Sequence, residues 1–345
     1  MDYYLIKGHF HLVGYSPDGD SLMFEASNPK QWDKIVTKHR ATFEEKLEEK
    51  EGSCQLRLQG VDALETHYGP AMVPPPKEAR GKEYAKAQKP KMNMFRQPVE
   101  YGEAATAKLM KYLGVSDVEW GTAFGKHWIK SLTYTNEEGP VSFDKKGEDR
   151  IEGYIVVNDM DRKGRPISWI FPGKTKERDG SKLTTDELLS MIKKSSNYRL
   201  VATGLVYPYF FMTLSAALRQ PLIYAVLNAQ RQKMNLWSQD KTEDGIRVDS
   251  VKGITEEHLV FPYLFRRMLK HQYRRQMEGY YEAVMKKKTY QADMDSLYLD
   301  SFFDDTNPYL FLIEERDFVR LDSVVQIRGN KMKLSTHPGN IVFFS

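Results

Sequence analysis

Scarcity is informative in this chain of 345 residues: it holds one cysteine and no strong excess of charge of either sign. Cys54 alone cannot close a disulfide within the chain, so no bridge framework braces the fold. No window reaches the run of about 20 apolar residues that a membrane-spanning helix needs, which excludes such a span and a membrane partner of that kind. A glycine-rich phosphate-cradling loop and a dinucleotide fingerprint are both missing. His9 and His11 share a strand face but have no cysteine or third histidine beside them. The usual zinc sets are thereby excluded and structural or solvent roles remain. A net charge of +4 is compatible with a polyanionic partner but does not select one.

What is present fits a folded protein. Hydrophobic residues make up 41% and charged residues 28% of the chain, which excludes global disorder. The length allows one large domain or two modest ones. Met1 leads within a few residues into alternating, strand-like sequence without an apolar signal core, so a cytoplasmic location is expected, with an already processed form as the alternative.

Residues 3–26 read as two strands joined by a turn, with Asp20 where a strand leaves the turn. Residues 28–52, rich in Lys and Glu, read as an inserted helix or arm with Trp32, Ile35 and Val36 as its apolar contacts. In the next strand, 54–62, Leu56 and Leu58 alternate with Arg57 and Gln59, which puts Arg57 off the core. Residues 67–98, with three prolines from Pro74, read as a long loop, either a solvated excursion or a flap over substrate. A helix is expected over 101–114, with Ala105, Leu109 and Tyr112 on one face and Gly114 as its stop. Strands follow over 118–171, with one turn flanked by Thr133-Tyr134 and Gly139-Pro140 and another over 161–164. A capping box at Thr184 and Glu187 opens a second helix, and a third spans roughly 213–234. Beyond 239, residues 256–288 read as a basic helix with Phe265, Met268 and Leu269 facing a core, and 319–344 as three short strands.

The chemistry lies in five residues. Asp20, Asp62 and Glu65, with Arg57 and Arg165, form the inventory for metal-assisted attack on a phosphodiester: carboxylates hold a hard cation and activate water, and guanidinium groups grip phosphate oxygens. The spacing Arg57-x4-Asp62-x2-Glu65, preceded by a strand–turn–strand bearing Asp18, Gly19 and Asp20, resembles the staphylococcal nuclease (thermonuclease) family. The resemblance runs from about residue 3 to residue 238, with insertions near 28–52 and 66–98. It implies a mixed α+β chain: an OB-fold domain over 1–240, that is a five-stranded Greek-key β-barrel with packed helices. A C-terminal helical and β extension over 241–345 lies outside it.

The resemblance also implies roles. Asp20, Asp62 and the carbonyl of Ala63 would ligate Ca2+, Glu65 would be the general base, and Arg57 and Arg165 would stabilise the phosphate through the reaction. Tyr207 and Tyr209 match tyrosines that line the nucleotide pocket, where stacking on bases and plain core packing both stay open. The implied activity is a Ca2+-dependent endonuclease acting on DNA or RNA, cleaving the P–O5′ bond and leaving a 3′-phosphate. The chain departs from the family at Ser21, Leu64 and Lys163, where Thr, Pro and an aromatic residue are usual. Two alternatives stand beside this one: a nucleic-acid-binding barrel without turnover, and a scaffold whose extension binds a protein partner. The acidic run Asp293, Asp295, Asp300, Asp304 and Asp305 lacks calcium-loop spacing and reads as solvated surface.

Overall fold

The architecture is that of a computed structural model, which describes residues 2–91, 93–123, 126–297, 299, 302–303 and 307–344. Asp300, Asp304 and Asp305 of the acidic run lie outside the described residues. The chain divides into two units. One joins Met1–Ala63, Tyr101–Ser238 and Val342–Ser345, and the other joins Leu64–Glu100 and Gln239–Ile341. Residues 64–100 therefore group with the C-terminal region, where a simple cut near 240 was expected.

The first unit carries, in chain order, β1 (Tyr3–His11), β2 (Ser21–Ala26), α1 (Arg40–Glu49), β3 (Ser53–Leu58) and β4 (Gly60–Asp62). Then come α2 (Val99–Tyr112, in this unit from Tyr101), β5 (Val115–Ala123), β6 (Lys126–Asn136), β7 (Gly139–Phe143), β8 (Ile151–Met160) and β9 (Pro166–Pro172). The series ends with β10 (Lys182–Leu183), α3 (Thr185–Met191), α4 (Ser196–Ala202), β11 (Tyr207–Phe211) and α5 (Ala216–Arg231). The expected capping box is present, Thr184 Oγ1 accepting from Glu187 N and Glu187 Oε2 from Thr184 N. Thr133 and Tyr134 sit inside β6 and pair with Ser142 and Val141, and the hairpin turns at residues 137–138, between the flanks Thr133-Tyr134 and Gly139-Pro140 that the sequence marked.

Five strands close a barrel. β1 pairs with β2, β2 with β3, β3 in parallel with β9, β9 with β8, and β8 back with β1. Closure of so few strands leaves a narrow interior. Gly8 and Gly153 face each other in register, and a Cβ on either would meet the ring of Phe24 or Phe10. Absence of side chains there lets the two rings fill the lumen, their centroids 5.2 Å apart. Trp32 and Phe43, from the 28–52 insertion, continue this aromatic stack beyond Phe24 and are fully buried. The insertion is thus part of the barrel core; Val36, expected as one of its contacts, is exposed.

Three devices aim the carboxylate motif. Gly60 takes φ +78°, a left-handed conformation open to glycine at little cost, and breaks the expected strand into β3 and β4. A Cβ at Gly60 would also lie 2.7 Å from Leu222 of α5. β4 then pairs antiparallel with β11, Asp62 opposite Tyr207. At the junction the buried Asn197 of α4 donates to Gln59 O and Ser168 O and accepts from Ile170 N, satisfying backbone groups where the parallel pair ends.

In the second unit, α6 (Pro262–Lys286) carries Pro262 in its first turn, where a missing N–H costs nothing. Phe265, Met268 and Leu269 are buried, as the apolar face implied. The stretch expected as a loop is irregular but packed: Ala79 and Ala87 cluster with Tyr273, Met277 and Tyr281 of the helix. Tyr281 Oη donates to Val73 O at 2.9 Å, which fixes the proline segment. Among shorter strands, β12 (Tyr309–Leu312) pairs with β13 (Asp317–Arg320), and β14 (Val325–Arg328) with β15 (Lys331–Leu334). Residues 342 and 343 of β16 (Ile341–Phe343) belong to the first unit, where they pair in parallel with Phe210 and Phe211. No helix among the described residues is long and apolar enough to cross a membrane.

His11 ends β1 between two carboxylates. Its Nδ1 lies 3.3 Å from Asp149 Oδ1 and its Nε2 3.1 Å from Glu25 Oε2. Asp149 is fully buried and also accepts from Leu12 N and Val13 N. Burial alone would lower the imidazole pKa, but the bonds and charges of Asp149 and then Glu25 outweigh it and raise the value above 6.5. A raised folded-state value adds stability that is complete below 6.5 and is lost as pH climbs through the folded value. Urea unfolding from about pH 6 to about pH 9 is therefore expected to show wild type losing stability relative to His11→Gln. Parallel pH curves for the two proteins would contradict the imidazolium assignment.

Candidate functional site

The first unit gathers four of the expected residues. Asp20 enters β2 from its turn, Arg57 sits on β3 opposite Ser21, and Asp62 ends β4. Arg57 Nη1 lies 2.6 Å from Asp20 Oδ2, and its Nη2 lies 2.6 Å from Asp62 Oδ1. The same Nη2 donates to Val61 O at 3.3 Å. Ala63 N donates to Asp20 Oδ2 at 2.9 Å, and Leu58 N donates to Asp20 O at 2.9 Å. α2 closes the turn from behind: a Cβ on Gly19 would lie 2.6 Å from the Ala105 methyl, so only glycine admits this approach.

Burial sets the electrostatics. Asp62 is 0% exposed and Asp20 only 6%. Burial, above all, raises the Asp20 pKa; Arg57 pulls it down, Asp62 and Asp18 push it up, and the Ala63 N–H pulls it down again, with a net rise. When both carboxyls are ionised, one guanidinium leaves the cluster one negative charge in excess. Asp20 Oδ1 has no hydrogen bond or ion pair among the described residues.

Arg165 stands in the β8–β9 turn, two residues before Ile167, which pairs with Arg57. Its own turn holds it: Nε donates to Asp161 Oδ2 at 2.8 Å and Nη2 lies 2.7 Å from the same oxygen. Burial would raise the Asp161 carboxyl, but Arg165 and the turn's N–H groups outweigh it and bring it below its ordinary range. Glu65 belongs to the second unit, where Arg266 Nη1 lies 2.6 Å from its Oε1. Gln97 secures that segment, donating through its backbone to Glu65 O and through Nε2 to Val260 O.

Tyr207 is fully buried with Trp237 against it, centroids 5.1 Å apart, so its ring has no face for a base and packing accounts for it. Tyr209 is half-buried between Phe211 and Phe343. Asp161, Arg266 and Asn197 escaped the sequence reading. The first had a signal, an Asp and an Arg four apart across a Lys-Gly turn; the other two are joined to their partners only by tertiary folding.

A cavity of about 330 Å3 opens beside Arg165, lined among others by Ser21, Met23, Gln55, Lys46 and Lys50. The donor chemistry of Asp20, Asp62 and the Ala63 carbonyl, all hard oxygen, suits Ca2+. Arg57 occupies one oxygen of each carboxylate, Asp20 Oδ2 and Asp62 Oδ1. Among the described residues no three His, Cys, Asp or Glu side chains gather as a ligand set, so any other ligand would be carbonyl, water or phosphate. Comparison with protein-family models and with curated proteins finds no match to this chain.

Arg57→Leu strips the cation from two buried carboxylates and is expected to cost about 3–5 kcal/mol in urea unfolding at neutral pH. Because a raised Asp20 pKa opposes folding once the group ionises, that loss shrinks as pH falls. Arg57→Leu/Asp20→Asn recovers part of it. Equal losses at acid and neutral pH, with no recovery, would mean that Arg57 acts by packing alone.

Proposed function

We propose that this protein is a Ca2+-dependent phosphodiesterase of the thermonuclease type, acting on DNA or RNA. One observation carries the reading: Arg57 meets both Asp20 and Asp62 where three strands converge. Support comes from the barrel as well. Its strand order, with β3 parallel to β9 closing the sheet, suits an oligonucleotide-binding (OB) barrel of Greek-key type.

Asp20, Asp62 and the Ala63 carbonyl would hold the cation, which when bound lowers the pKa of water and offsets phosphate charge. By the resemblance, Glu65, three residues beyond Asp62 in the chain, would be the general base, taking a proton from water as its oxygen bonds to phosphorus. The P–O5′ bond breaks, the 5′-oxygen leaves and takes a proton from solvent water, and the other fragment keeps a 3′-phosphate. Arg57 and Arg165 contribute planar forks that hold phosphate oxygens as negative charge builds on them. For that, each must give up part of its present carboxylate contact to the substrate.

A second reading has its own observation. Each candidate charge already has an internal partner: Arg57 with two aspartates, Arg165 with Asp161, Glu65 with Arg266. Such pairing favours a barrel that binds nucleic acid without turning it over. Calcium titration against a fluorogenic oligonucleotide separates the two. Wild type is expected to cleave, Glu65→Gln to lose roughly 10²–10⁴-fold in kcat, and Arg165→Gln roughly 10²–10³-fold. Binding that persists in chelator, with no product at any calcium level or substrate length, would replace the nuclease reading by the second one.

A further inference from the structure

The cavity beside Arg165 begins where the carboxylate cluster ends. Ser21 directly follows Asp20, and Gln55 lies two residues from Arg57 on the same face of β3; both line the wall. Gln55 Nε2 donates to Ser21 Oγ at 3.2 Å, so these groups form one polar floor. The opposite wall is α1, from the insertion near 28–52, which places Lys46 and Lys50 one turn apart at the rim. Arg165 adds a third cation. Its Nε and Nη2 are fixed by Asp161, while Nη1 has no partner among the described residues. Glu49 is the one carboxylate in the lining. Tyr15 and Met23 supply aromatic and apolar surface, and Lys146 Nζ sits 4.8 Å from the centroid of the Tyr15 ring.

Three lining cations against one carboxylate select an anion, and the aromatic surface selects one that carries a planar ring. A volume of about 330 Å3 lies at the small end of ligand cavities, room for one nucleotide unit. We propose that this cavity is a subsite for the nucleotide adjoining the scissile phosphate, with its own phosphate on Lys46 and Lys50, next to the scissile phosphate at Arg165, and its base along Tyr15. The proposal rests on the nuclease reading for where the chain runs, and it gives the inserted helix a function: extending the grip on substrate by one residue of nucleic acid.

Lys46 and Lys50 are exposed on α1, so charge reversal there leaves the core intact. Wild type, Lys46→Glu/Lys50→Glu and Tyr15→Leu are titrated with a nucleoside 3′-monophosphate and with inorganic phosphate, in chelator, by amide-shift NMR. Saturable nucleotide binding is expected in wild type, weakened roughly tenfold or more by the double reversal and steeply salt-dependent. Tyr15→Leu weakens the nucleotide but spares phosphate. Cleavage of a long single strand is followed in parallel, where the double reversal raises KM with kcat retained. Wild type that binds nucleotide here but cleaves nothing upholds the cavity as a nucleotide site and removes the nuclease reading, with it the scissile neighbour. Wild type that cleaves, with affinity and KM unchanged by the double reversal, overturns the subsite and leaves that reading standing.

Discussion

One guanidinium between two buried carboxylates is the constraint around which the first unit is arranged. Arg57 reaches Asp20 at the start of β2 and Asp62 at the end of β4 while its own strand forms the third side. Three strands can meet there with acidic side chains inward only because the cation is present, since an ionised carboxylate without a partner is very costly to bury. The left-handed turn at Gly60 and the amide of Asn197 serve the same junction, the first by redirecting the chain and the second by satisfying its backbone.

The same pairing recurs at every charged residue of the candidate site, and it links structure to chemistry in one way. Groups suited to hold a cation or a phosphate are kept in place by each other in the absence of either. A ligand bound there would exchange internal ion pairs for external ones, so its binding energy would be the difference between two sets of contacts. Asp20 is the group nearest to that exchange: its carboxyl is already raised by burial, and one oxygen is unengaged among the described residues.

Local pattern made much of this legible. Alternation around Leu56 and Leu58 placed Arg57 off the core, the Thr184–Glu187 spacing marked a helix start, and Phe265, Met268 and Leu269 marked the buried face of α6. The spacing of Arg57 and Asp62 put both at one site because they lie on consecutive short strands. What escaped was long-range. Nothing near Glu65 in the chain points to Arg266, 201 positions away, and nothing near Gln59 points to Asn197, 138 positions away. The 67–98 stretch lacked apolar periodicity, so its attachment to α6 through Ala79, Ala87 and a backbone carbonyl at Val73 was invisible to pattern. Tyr207 was ambiguous because an aromatic residue on a strand serves a core and a ligand pocket equally well.

The short strand at 342–343 bears on how the chain is assembled during synthesis. Its partner Phe210–Phe211 is made 132 residues earlier (342 minus 210), and the whole of 239–341 intervenes. While those residues are being added, the β11 edge that they leave uncovered is an aromatic strand with open backbone groups, the kind of surface that recruits a neighbouring chain. Polysomes, on which many copies are held close together, would then be where this protein is most exposed to mispairing, and a chaperone acting there would have that edge to protect.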